Sequence, residues 1–81
     1  MRQGHKETID FYKLYLKTHP NSSRVAFNLG MAYKDEGNTS LAKKYLEDCQ
    51  RLLPADTSMS KFSREFIRKR LPKILDDLKA G

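Results

Sequence analysis

The segment NLGMAYKDEGNTSLAKKYLEDCQRLLP, from Asn28 to Pro54, decides how the rest of the chain is read. With Ala26 just upstream, Leu29, Gly30 and Tyr33 fall three and four residues apart, one face of a helix. Leu41, Ala42, Tyr45, Leu46, Cys49, Leu52 and Leu53 repeat that spacing further on. Between the two runs stands Glu36-Gly37-Asn38. Gly37 suits the left-handed residue that follows a helix, and Asn38 suits the cap of the next one. Pro54 closes the second run. Two helices joined by so short a break fold back on each other, and Gly30 and Ala42 are small enough to let them touch.

Working outward, the chain yields two more helices. Ile9, Tyr12, Tyr15 and Leu16 share a face over roughly Glu7 to Lys17. The stretch THPNS ends that helix, because Pro20 disfavours the helical conformation at His19, and Asn21 or Ser22 can cap the helix that starts near Ser23. That second helix is expected to run to about Glu36, and the third from about Thr39 to Leu53. A fourth is expected after Asp56, a good N-cap, with an apolar stripe of Met59, Phe62, Phe66, Ile67, Leu71, Ile74, Leu75 and Leu78. Pro72 interrupts it. A proline inside a helix loses a backbone bond and clashes one turn back, at about 3 kcal/mol, so a kink is expected, or a split near Arg70. Nothing alternates with period two, and the expected fold is all-α, with four helices in one domain.

Composition narrows the functions. A chain of 81 residues buries about 60–65% of the surface its unfolded form exposes, so the core is small. No apolar run is long enough for a membrane span, and Met1 to Lys6 lack the apolar stretch of a secretory signal. Cys49 is the only cysteine, which rules out an internal disulfide and fits a reducing, cytoplasmic setting. Net charge is +6, and a single segment carries +5 of it: Lys61, Arg64, Arg68, Lys69, Arg70 and Lys73 stand there against Glu65 alone.

Pro20 and Pro54 stand 34 residues apart, the period of tetratricopeptide repeats. Residues 23–56 resemble one complete repeat of that family, with Ala26, Leu29, Gly30, Tyr33, Gly37, Ala42, Leu46, Cys49 and Pro54 at the pattern's spacings. Residues 7–22 resemble the second helix of a preceding repeat, with Thr8 at the small place, Tyr12 at the aromatic place and Pro20 at the close. Downstream the pattern fails, since Ser60, Ser63 and Arg64 occupy its apolar, leucine and glycine places. Residues 57–79 therefore resemble the charged capping helix that ends such arrays. The resemblance implies a short stack of antiparallel helical hairpins that binds proteins or peptides, without cofactor and without chemistry of its own.

In that family, ligands lie along the first helix of each repeat, and the matching side chains here are Arg24, Phe27, Asn28, Met31, Lys34 and Asp35. They could equally pack on the fourth helix or face water. Ile9, Phe11, Tyr12, Tyr15 and Leu16, with Leu14 beside them, would be left partly uncovered by the absence of a first half-repeat. In the isolated chain that surface points to self-association as a dimer; in a longer parent chain the missing helix would cover it instead. The basic segment Lys61 to Lys73 gives an alternative function, binding nucleic acid or another anionic surface; a solubilising face is the expectation preferred over it. His5, His19 and Cys49 are too scattered for a metal site. Cys49 occupies a core place, and Tyr12, Tyr15, Tyr33 and Tyr45 lie on inner faces. No paired carboxylates, triad or phosphate loop points to an enzyme.

Overall fold

The computed structural model describes residues 2–80, with side chains from residue 6 onward. Among these residues the fold is all-α: α1 (Arg2–Thr18), α2 (Ser23–Asp35), α3 (Thr39–Leu52) and α4 (Lys61–Ala80), with a single 3₁₀ turn, Leu53–Ala55, after α3. The ends follow from local chemistry. Ser22 caps α2, its side chain accepting from the Val25 N–H, and Asn38 caps α3 by accepting from Leu41. Gly37 has φ +84°, the left-handed conformation that a side chain would strain.

α2 and α3 form the tightest pair, α1 packs on α2, and α4 packs on α3. The hairpin closes at Gly30. A β-carbon there would stand 2.6 Å from Leu46 Cγ, 2.8 Å from its Cδ2 and 3.2 Å from the Ala42 carbonyl oxygen. Leu29, Ala42, Leu46 and Cys49 are completely buried around this contact. Each leucine so enclosed contributes roughly 1.5–3 kcal/mol. Tyr33 is buried beside them, its ring stacked on half-buried Tyr45 with centroids 5.7 Å apart.

The fourth helix departs from expectation at three points. It starts at Lys61, not after Asp56. Its cap is Ser60, whose hydroxyl accepts from the Ser63 N–H and whose carbonyl accepts from Arg64. It also runs unsplit through Pro72, so the split near Arg70, one of the two expectations for that proline, does not occur. Leu71 precedes the proline, Leu75 and Leu78 follow it, and all three are buried. Burial on both sides of the missing bond offsets its cost. Lastly, Phe62 and Phe66 are not in the buried stripe. Ile67, Leu71, Leu75 and Leu78 set the inward row, and Met59 is buried just ahead of the helix. Phe66 precedes Ile67 by one position, and Phe62 stands one turn before Phe66. Phe66 is thereby turned about 100° and Phe62 about 140° round the helix from Ile67, leaving Phe62 81% and Phe66 48% exposed.

Candidate functional site

Because both α2 and α4 pack on α3, they leave a groove between their own exposed sides. It encloses about 310 Å³ and is lined by Arg24, Phe27 and Asn28 from α2 and by Phe62 and Phe66 from α4, with Met59 buried at one end. Phe27 and Asn28 are half-buried, while Arg24 is exposed. Two helices thus bring three phenylalanine rings together beside a guanidinium and an amide. The Arg70 guanidinium lies over the Phe66 ring, 4.4 Å from its centroid, a cation–π contact that holds a positive charge at the groove edge.

Of the six family-type positions on α2, Arg24, Phe27 and Asn28 therefore line the groove. Met31 is half-buried against the core, Lys34 is half-buried, and Asp35 is exposed at the end of the helix. Phe62 and Phe66 were legible only as core residues in the sequence. Their offset from the Ile67–Leu71–Leu75 row is the signal that distinguishes them.

The α1 residues divide. Ile9 is buried in the chain's own core, and Tyr12 and Leu16 are half-buried against it. Phe11, Leu14 and Tyr15 are exposed, Phe11 and Leu14 by nearly two thirds. Tyr15 does not lie on the inner face: its ring stacks on His19 at 4.2 Å. His5 falls outside the described side chains.

The basic residues divide too. Lys61, Arg64 and Arg68 border a recess of about 380 Å³ where α4 passes the end of α3, beside Gln50 and Pro54. There Arg68 is forked onto Glu65 at 2.7 and 2.8 Å. This hydrogen-bonded pairing raises the Arg68 pKa and lowers that of Glu65. Lys69, Arg70 and Lys73 are exposed on another side of α4. The six charges fall on two sides of the helix and form no single track.

Asp56 has the most perturbed carboxyl. Its Oδ2 accepts from the Ser23 N–H at 2.9 Å and from the Ser23 hydroxyl at 2.6 Å; its Oδ1 accepts from the Ser58 N–H at 2.9 Å and from the Ser58 hydroxyl. Burial alone would raise its pKa, but these bonds overcome burial and hold it well below the usual carboxylate range. Cys49 moves the other way. Burial, reinforced by the Asp56 charge, pushes its thiol up to about 12, the opposite of what a nucleophile needs. Among the described residues no three metal-ligating side chains gather, and no helix is long and apolar enough to cross a membrane.

Comparison of the chain with protein-family models, with curated proteins and with solved structures finds no match.

Proposed function

We propose that this chain is a protein-binding scaffold of the tetratricopeptide kind, which takes a partner peptide in the groove between α2 and α4. The observation that carries this reading is the groove itself, with Phe27, Phe62 and Phe66 collected at a surface and Phe62 81% exposed. A small domain with few apolar side chains to spare gains nothing for its own fold from a phenylalanine left in water. Exposed apolar patches rimmed by polar groups mark interaction surfaces. The family reading is supported by the close approach of α2 and α3 at Gly30 and Ala42, and by the left-handed Gly37 between them. We assign the chain no catalysis: its one thiol is buried and held protonated.

Self-association is a second reading, favoured by the exposure of Phe11 and Leu14 on α1. Nucleic-acid binding ranks below both, because phosphate tracking uses a continuous basic stripe and the basic residues of α4 point to different sides.

Selection from a random dodecapeptide display library tests the proposal. Peptides should enrich on the wild-type protein and fail to enrich on a Phe62→Ser, Phe66→Ser variant, which removes aromatic surface from outside the buried row of α4. Equal enrichment on both proteins, or none on either, would contradict it.

A further inference from the structure

Resting on the peptide-binding reading above, we infer that the partner is an acidic peptide with apolar anchor residues, held by the phenylalanines of the α2–α4 groove and by the cations along its α4 edge.

The inference comes from the charges that accompany the rings. Arg24 is the charged residue of the groove lining, which contains no acid. Along α4, Phe62, Phe66, Lys69, Arg70 and Lys73 follow at spacings of three and four, so they share one side of the helix. All five are exposed. Arg70 is already drawn over the Phe66 ring. A guanidinium that rests on a ring keeps its N–H donors for a carboxylate. Glu65, the acid of this stretch, borders this side one turn before Lys69, and both its oxygens are taken by Arg68. Beyond Lys73, the exposed Asp76 and Asp77 stand three and four residues later, past the aromatic part of this side. On α2, Asp35 stands at the end opposite Arg24, with Lys34 next to it. Between Phe62 and Lys73 this side of α4 is therefore positive and aromatic. Apolar side chains of a partner would cover the Phe27, Phe62 and Phe66 rings, while its carboxylates meet Arg24, Lys69, Arg70 and Lys73. Such pairing speeds encounter and excludes basic partners by like-charge repulsion.

An anionic bilayer offers the same charge. The recessed position of Phe27 and Asn28, half-buried between two helices, favours a narrow chain over a flat surface.

Two peptide display libraries with the same fixed leucine and phenylalanine positions decide the matter. In one, the variable positions are drawn from Asp, Glu, Gly and Ser; in the other, from Lys, Arg, Gly and Ser. Vesicles containing phosphatidylserine serve as the third probe. Selection should enrich binders from the acidic library alone. The best of these should lose about tenfold in affinity against an Arg70→Ala, Lys73→Ala variant, the effect of two partly exposed ion pairs. Equal enrichment from both libraries would overturn the charge inference and leave the peptide-binding reading standing. Enrichment from neither would overturn both. Vesicle binding without peptide enrichment would overturn the inference in favour of a membrane surface.

Discussion

Asp56 reaches back to Ser23, 33 residues earlier, and accepts both its backbone N–H and its hydroxyl. A carboxylate thereby sits at the N-terminus of α2, where the helix dipole favours negative charge, and the chain leaving α3 is tied to the start of the hairpin. Ser23 is completely buried and Asp56 nearly so.

Asp56→Asn should cost about 1–3 kcal/mol, because its amide cannot accept all four donors and leaves some of them unpaired. The pH dependence has a definite sign. The folded-state pKa of Asp56 is depressed, so its contribution is fully present above the ordinary carboxylate value of about 3.9 and is lost as pH falls below it. Urea midpoints measured from pH 7 down to pH 2 should therefore fall in the acid range for the wild type, and less steeply for the variant. Parallel curves would refute this role of Asp56.

Gly30→Ala should destabilise the chain by about 1–3 kcal/mol, since the added methyl would meet Leu46 at 2.6 Å and Leu46 is itself fully enclosed. Lys44→Ala, on the exposed side of α3, should change stability by about 0.5 kcal/mol or less. Thermal unfolding compares the two. Identical midpoints would mean that the hairpin is not closed at Gly30.

Pro72 is exposed in the middle of α4. Pro72→Ala restores a backbone donor and removes the clash, worth up to about 3 kcal/mol in a helix interior, less roughly 0.4–1 kcal/mol for the freer unfolded chain. A net gain of about 1–2 kcal/mol is expected in chemical denaturation. A loss would show that the proline's shape is needed where it stands.

The four helices and the α2–α3 hairpin were legible in the sequence because each rests on local signals. These are apolar residues at helical spacing, Ser22 and Asn38 as caps, and Gly37 at the turn. The fourth helix was misjudged where those signals compete. Asp56 and Ser60 are both good caps, and the tertiary bond to Ser23 claims Asp56 for α2, leaving Ser60 to start α4. Pro72 reads as a kink or a break, and the break does not occur, because the leucines on either side of it bury against α3. Phe62 and Phe66 read as core by residue type, and only their offset from the Ile67 row turns them outward. The groove was half legible: Arg24, Phe27 and Asn28 came from the repeat pattern, while its α4 wall depended on how two distant helices meet.

Phe11 and Leu14, exposed on α1, bear on assembly. If that face pairs two copies, sedimentation equilibrium should show a concentration-dependent dimer that Phe11→Asp, Leu14→Asp converts to monomer. Neither residue is in the core, so helicity by circular dichroism should be retained. A wild-type monomer over a hundredfold concentration range would remove self-association from consideration.

The groove between α2 and α4 is tested most directly by amide chemical-shift mapping of the ¹⁵N-labelled chain as a library-selected peptide is added. Shifts that saturate at Arg24, Phe27 and Asn28 together with Phe62 and Phe66, and leave Phe11 and Leu14 unmoved, are the expected result. A peptide that binds tightly while moving only α1, or only the Lys61–Arg68 recess, would contradict it.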